Sequence, residues 1–215
     1  MKIEEVDKIC LAIERSVFPE AAQFGTISGF IDNDDVKKIV GTYTGHAYDL
    51  MIRSVIYEGV LSITKALDNN GNSLSRFSDC LEGKADIIGD RRRSAHPDWD
   101  EIFLGIDEIE PRIERLRQRV ISARQSKEFK NIKAFRDTNL AHRLDLGERI
   151  ERLRRAGHSY DAPTNREILS LGRMIIELSA EAVSIWAFKT LAWHDMLSRY
   201  DGYTRNIFKD LPALK

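Results

Sequence analysis

Apolar side chains recur every three or four residues along most of this chain, which is the spacing of one buried face of an α-helix. The first such run covers residues 2–17 and predicts an amphipathic helix with a single buried stripe. Pro19 and Gly25 are expected to end this helix. A polar linker is then expected to lead to the acidic residues 32–35.

A second helix is predicted from about residue 34 to residue 67, with Asn69-Asn70-Gly71 as its stop signal. Gly41 or Gly45 is an alternative point at which this helix breaks into two. A short helix is predicted over residues 75–81, and residues 83–97 are predicted to form a loop.

From Trp99 onward, one apolar stripe continues for about six turns and predicts a single helix with a kink at Pro111. Its positions are Ile102, Ile106, Ile109, Ile113, Leu116, Val120 and Ala123. A further helix is predicted from about residue 127 to residue 140, packing Phe129 and Ile132 inward.

A polar connection over residues 143–163 is expected to precede the last long helix, which Thr164 or Asn165 can cap. Its apolar stripe comprises Ile168, Leu171, Ile175, Leu178, Ala182 and Ile185. Residues 195–215 are interpreted as a tail, and residues 1–31 as an N-terminal helix and linker. No alternation typical of β-strands appears, so the prediction is all-α: one domain over residues 1–215, an up-and-down bundle of four or five principal helices.

The composition of the chain excludes few classes of function. The chain has 215 residues, 42% hydrophobic and 31% charged, with a formal net charge of −1, so it lacks a global excess of positive charge. Charge is uneven, however: residues 112–133 hold eight Arg or Lys against two Glu. This stretch either follows a phosphate backbone or is a solvated helix face.

The cysteines and the N-terminus bear on the compartment. Two cysteines, Cys10 and Cys80, indicate a reducing environment, and no Cys/His cluster has zinc-ligand spacing. The N-terminus lacks an apolar signal-peptide core, and no apolar run approaches the length of a membrane span. We therefore expect a cytoplasmic protein with no membrane association, no metal and no cofactor.

The candidate catalytic residues are Arg136 and His142, an arginine and a histidine separated by five residues. Two similar pairs, Arg91 with His96 and Arg152 with His158, are predicted to lie in loops. Only the Arg136 pair follows a helix-forming run. Histidine exchanges protons near neutral pH, and the guanidinium group of arginine matches the oxygens of a phosphate. Together they could cleave RNA without a metal.

The string Arg136-Asp137-Thr-Asn139-Leu-Ala-His142 resembles the signature of the HEPN superfamily, in the branch related to abortive-infection system U. That branch tends to carry an Arg/Lys-x-Leu-Asp string after an early long helix, and Lys65-Ala-Leu-Asp68 stands in that place. The helical layout of most of the chain is similar too. The resemblance implies an HEPN-like helical fold and, as in many HEPN proteins, a metal-independent endoribonuclease used as a toxin or in antiphage defence.

Under this resemblance, Arg136 and His142 are the expected catalytic residues. His142 would act as general base or acid, and Arg136 would stabilise the charge on the phosphate. Asp137 either orients His142 or a partner arginine, or forms a surface ion pair. Asn139 either binds RNA or caps the helix. The expected RNA-binding residues are Lys130, Lys133 and Arg143.

Six steps along an ideal helix place Arg136 and His142 about 120° apart, so they are not neighbours on one face. Either the helix ends near Asn139 and the chain turns, or the site is composite. A homodimer that joins two copies of the motif resolves the difficulty and is the arrangement that the HEPN resemblance implies. RNA and an antitoxin or defence-system protein are the other expected partners.

A second hypothesis is a non-catalytic helical module that dimerises or binds a nucleotide or a partner, as some HEPN domains do. The near-neutral net charge favours it. Some HEPN toxins carry a tyrosine two positions after the histidine, which a partner nucleotidyltransferase modifies. Leu144 occupies that position here, which argues against neutralisation by that route.

Overall fold

The structure, a computed structural model, describes residues 2–31, 33, 43–139 and 163–209. Helices and short turns account for these ranges, and no described residue lies in a β-strand, which confirms the all-α prediction. The helices are α1 (Ile3–Ile31), α2 (Tyr43–Leu67), α3 (Leu74–Cys80), α4 (Ala85–Ala95), α5 (Glu101–Leu104), α6 (Ile109–Gln125), α7 (Lys127–Asn139), α8 (Asn165–Ala187) and α9 (Trp193–Lys209).

The core lies around α1 and α8, which pack against each other and together contact most of the other helices. The apolar stripe predicted for α8 is entirely buried, from Ile168 to Ile185. Thr164 caps α8 as predicted: its hydroxyl accepts from the Glu167 N–H at 3.1 Å, and the Glu167 carboxylate accepts from the Thr164 N–H at 2.6 Å. This reciprocal pair satisfies two N–H groups that the helix itself cannot.

The prediction that α1 ends between Pro19 and Gly25 was wrong, because α1 continues to Ile31. Pro19 is exposed, so water can satisfy the carbonyl group that loses its N–H partner. Gly25 and Gly29 face α9 so closely that a Cβ on Gly25 would lie 2.3 Å from the Leu197 carbonyl oxygen. These glycines therefore allow two helices to touch, and the packing that they permit holds α1 in its helical form.

The interpretation of residues 195–215 as a tail was also wrong. Residues 193–209 form α9, which packs along α1 and buries Trp193 and Thr204. Residues 210–215 lie outside the described part of the chain. Gly45, a proposed break in the second helix, lies inside α2, and residues 34–42 are not described.

Residues 83–97 were predicted to be a loop, but most of them form α4. The side chain of Arg92 is only 3% exposed. It donates to the Leu104 carbonyl at 2.7 Å and to the Ile185 carbonyl at 3.0 Å, both near helix ends. Burial lowers the pKa of Arg92 to about 10. Arg92, which lies in the segment predicted to be a loop, is thus a buried side chain that donates to carbonyl groups at the ends of α5 and α8.

The single kinked helix expected from Trp99 onward is two helices. Gly105 adopts the left-handed conformation, at φ 60°, and ends the first of these helices. Pro111 lies in the first turn of α6, where the N–H group that proline lacks would have no partner within the helix. From Ile109 onward the predicted stripe is buried, but Ile102 is 89% exposed. The three-and-four spacing of apolar residues continues from α5 into α6, so only Gly105 indicates in the sequence that the helix is interrupted there.

The helices in the described ranges are too polar or too short to cross a lipid bilayer.

Two glycines within helices, Gly172 and Gly202, provide a matched test of the packing of α1 against α8. A Cβ on Gly172 would lie 2.1 Å from a ring carbon of Phe24, a side chain only 1% exposed, whereas a Cβ on Gly202 would meet open space. We predict that Gly172→Ala lowers the free energy of unfolding by about 1–3 kcal/mol through overpacking. Gly202→Ala should raise it by about 0.5–1 kcal/mol, because alanine favours the helix. Urea unfolding of both variants measures the two changes, and a Gly172→Ala chain as stable as the parent would contradict the close α1–α8 contact.

Candidate functional site

Helix α7 carries Arg136, the first residue of the candidate motif, and Ser126 positions the start of this helix. The Ser126 hydroxyl accepts from the Phe129 N–H at 3.1 Å, which satisfies one N–H group of the first turn. Phe129 and Ile132 are buried in the core, at 5% and 0% exposure. This anchored face leaves Lys130 and Lys133 exposed on the surface, and Arg136 half-buried.

Arg136 meets Asp68, a residue 68 positions earlier in the chain. Its Nη1 lies 3.1 Å from Oδ2 of Asp68, while Nε and Nη2 lie 2.8 and 2.7 Å from Oδ1 of Asp137. Nζ of Lys133 lies 3.8 Å from the other Asp68 oxygen. The structure therefore joins the two short strings that the sequence singled out, because Asp68 directly follows α2 and α2 packs against α7.

The guanidinium group of Arg136 is partly buried, with 21% of its side chain exposed. Partial burial alone would lower the pKa of Arg136, but the hydrogen bonds that it donates to Asp137 and Asp68 outweigh this effect and raise the pKa above its ordinary value. Arg136 is therefore a fixed positive charge, held in orientation by two carboxylates.

Of the other predicted site residues, Asp137 belongs to this ion-pair cluster and is 49% exposed. Asn139 is the last described residue of α7, and its side chain is not described. His142 and Arg143 lie outside the described residues. The structure thus brings Arg136, Asp137 and Lys133 together, whereas Lys130 lies on the same helix without a described ion pair.

A cleft of about 510 Å³ adjoins the ion pair, between the end of α2 and the junction of α6 with α7. We call it the Asp68 cleft; it is lined by Leu67, Asp68, Asn69, Asn70, Ile121, Arg124, Gln125, Phe129, Lys130 and Lys133. In the sequence, Asn69 and Asn70 predicted only the end of a helix, and Arg124 was one of several cations in the basic stretch. The place of Asn69 and Asn70 directly after the Lys65–Asp68 string was the signal that could have identified these two residues, whereas no motif in the sequence marks Arg124.

The competing pair, Arg91 with His96, was set aside because it was predicted to lie in a loop, which is wrong. Arg91 lies in α4, and its two terminal nitrogens each lie 2.8 Å from the Asp7 carboxylate. The His96 ring stacks on Trp99, with the ring centres 4.4 Å apart. Both groups have internal partners, as Arg136 does, but they lie outside the string that resembles the HEPN signature, so the pair is still not favoured as a site.

No group of three or more His, Cys, Asp or Glu side chains in the described part of the chain is arranged to hold a metal ion. The Asp68 carboxylate, the most central acid of the cluster, faces cations: Arg136 and Lys133. Within the cluster, these two cations balance Asp68 and Asp137, so the guanidinium group is held in place without a net charge. An anionic ligand would have to be attracted by further cations beside the cluster, which Arg124 and Lys130 supply.

Comparison with known families agrees with the family resemblance expected from the sequence. The family model HEPN_AbiU2, described as AbiU2, matches residues 3–207, which is nearly the whole chain. No curated protein and no solved structure is significantly similar to the chain. The match spans α1 to α9 and includes Asp68, Arg136 and His142. The chain belongs to the AbiU2 family of HEPN domains, a family related to abortive infection.

Proposed function

We propose that the protein is a metal-independent endoribonuclease that acts in phage defence or as a toxin, with Arg136 and His142 as its catalytic residues. The observation that carries the proposal is the fixed guanidinium group of Arg136, oriented by Asp68 at 3.1 Å beside an open, cationic cleft. Family membership supports it, because many HEPN proteins cut RNA.

The reaction requires one proton to be removed and one to be supplied. His142 takes the proton from a ribose 2′-hydroxyl, and the 2′-oxygen then attacks the adjacent phosphorus. The bond from phosphorus to the 5′-oxygen breaks, and that oxygen receives a proton from an imidazolium. The products are a 2′,3′-cyclic phosphate and a 5′-hydroxyl.

Arg136 stabilises the charge that builds up on the phosphate oxygens. An arginine has five N–H donors, and three of them are directed at Asp68 and Asp137. One N–H on each terminal nitrogen is left for a phosphate. The two carboxylates therefore orient the guanidinium group without using up its binding capacity.

A homodimer completes the proposed site. Arg136 and His142 are six residues apart, and on a continued helix they would point about 120° apart. Two copies meeting near α7 would bring an arginine of one chain to a histidine of the other.

The second candidate is a non-catalytic helical module. It is favoured by the same contacts, since Arg136, Asp68 and Asp137 already form a complete ion-pair cluster that could serve folding alone. The two candidates differ in what the cluster does. The nuclease needs it for cleavage, and the module needs it only for stability.

The first test is cleavage of RNA by purified protein in EDTA. We predict cutting that leaves 2′,3′-cyclic phosphate ends, with His142→Ala and Arg136→Ala each slowing it by about 10²-fold or more. Arg115→Ala, which removes an exposed cation from α6 without a described ion pair, is the control and should cut at the parent rate. Undiminished cutting by His142→Ala would refute the assigned role.

The second test separates orientation from stability at Asp68. Asp68→Asn keeps the shape of the side chain and removes its charge, so the hold on Arg136 weakens. We predict that kcat falls by about tenfold while the free energy of unfolding falls by only about 1 kcal/mol, as for a partly exposed ion pair. Asp49→Asn, which breaks the exposed Asp49–Arg53 pair at 2.8 Å, should leave kcat unchanged. The module hypothesis instead predicts a loss of stability with no cleavage to lose.

The third test is the oligomeric state. Sedimentation velocity at micromolar concentration should show a dimer, and a mixture of Arg136→Ala and His142→Ala chains should recover part of the activity, because a mixed dimer contains one intact composite site. A strict monomer with full activity would rule out the composite site.

A further inference from the structure

The Asp68 cleft contains groups that the proposed cleavage step does not use. On one wall, Arg124 lies near the end of α6 and Lys130 near the start of α7, one on each side of Ser126. On the other wall, Asn69 and Asn70 follow directly from Asp68. At about 510 Å³, the cleft falls within the range of about 300–1,000 Å³ that small-molecule sites occupy.

The charge of the cleft is positive. Its lining includes Arg124, Lys130 and Lys133 against a single carboxylate, Asp68. That carboxylate is already bound to Arg136 and Lys133. Arg124 and Lys130 form no ion pair with any residue that the structure describes. Two cations that have no acidic partner among the described residues favour an anion such as a phosphate group.

The cleft also contains groups suited to a nucleobase. The side chains of Asn69, Asn70 and Gln125 are exposed, and within the described ranges they make no hydrogen bond to another residue. Each amide offers both donors and acceptors, which can pair with the edge of an unpaired base. Of the apolar lining residues, Leu67 and Phe129 are almost fully buried, whereas Ile121 is half-buried and leaves some apolar surface against which the flat face of a base can lie.

The position of the cleft relates it to the scissile phosphate. Asp68 lines the cleft and also contacts Arg136, and Lys133 lies one helical turn before Arg136. A phosphate bound at Arg136 would therefore leave the neighbouring nucleotide at the mouth of the cleft.

We propose that the Asp68 cleft is a nucleotide subsite for single-stranded RNA, which binds the nucleotide next to the phosphate that Arg136 contacts. Arg124 and Lys130 hold that nucleotide's own phosphate, and Asn69, Asn70 and Gln125 select its base. The strand must be single because the bases of a duplex are already paired and stacked. This inference rests on the proposed function for its substrate, and it adds the residues that determine where the RNA is cut.

The test measures binding without cleavage. His142→Ala chains are titrated in EDTA with fluorescein-labelled single-stranded 12-nucleotide RNAs, and anisotropy gives the affinity at several salt concentrations. Arg124→Ala should weaken binding about tenfold and lower the slope of log K against log salt by about 0.7, the loss of one phosphate contact on a single strand. Arg124→Lys should keep most of the slope. Arg115→Ala, on the same helix but lining a different groove, should change neither quantity.

The base-reading residues are tested separately, with the double variant Asn69→Ala and Asn70→Ala. It should reduce the differences in affinity among poly-A, poly-C, poly-G and poly-U oligomers by about fivefold or more and leave the salt slope unchanged. In the cleaving parent chain, the same double variant should alter the pattern of cut positions. Urea unfolding of each variant confirms that these surface changes leave the fold intact.

The outcomes separate the two proposals. If the chain binds single strands through Arg124, Asn69 and Asn70 but never cuts RNA, the nuclease proposal fails and the subsite stands. If it cuts RNA while Arg124→Ala behaves like Arg115→Ala, or while the asparagine variant keeps the parent base preference, the subsite is wrong and the nuclease stands. Duplex RNA bound as tightly as single strands would also overturn the subsite.

Discussion

The contact on which the candidate site depends is the ion pair between Asp68 and Arg136, which joins the end of α2 to α7. A partly exposed pair of this kind contributes only about 0–1 kcal/mol to stability. Burying Leu67, Phe129 and Ile132, which lie beside the pair on the same two helices, contributes about 1.5–3 kcal/mol each. Apolar packing therefore sets the distance between α2 and α7. At that distance, Asp68 can reach Arg136 and orient its guanidinium group.

The same packing places the cleft. Helix α6 ends at Gln125 and α7 begins at Lys127, so Ser126 alone separates them and also caps α7. This short junction brings Arg124 and Lys130 to one wall, while the chain leaving α2 supplies Asn69 and Asn70 to the other. A site on the ends of anchored helices is held more rigidly than one on a long loop. The whole chain has a formal net charge of −1, but the lining of the Asp68 cleft, where α2, α6 and α7 meet, is positively charged.

Where a helix is amphipathic and clearly capped, local sequence predicted it well: Thr164, Glu167 and the buried stripe of α8 occur as expected. The errors fell where tertiary contacts override local preference. Gly25 signals a helix end in isolation, yet in the fold it permits contact with α9. Arg92 looks like a surface cation, yet it is buried and bonded to carbonyl groups that no local pattern reveals. At the site, the motifs predicted Arg136 but gave Asp68 no role, since their pairing requires the packing of α2 on α7.

The most direct measurement is a double-mutant cycle on RNA cleavage with Asp68→Asn, Arg136→Ala and the chain that carries both. If Asp68 acts by orienting Arg136 toward the phosphate, removing Asp68 from a chain that already lacks Arg136 should cost almost nothing further, so the two losses in kcat should be strongly non-additive. Losses that multiply independently, or cleavage that is indifferent to both residues, would contradict the view that this pair faces the phosphodiester as a unit.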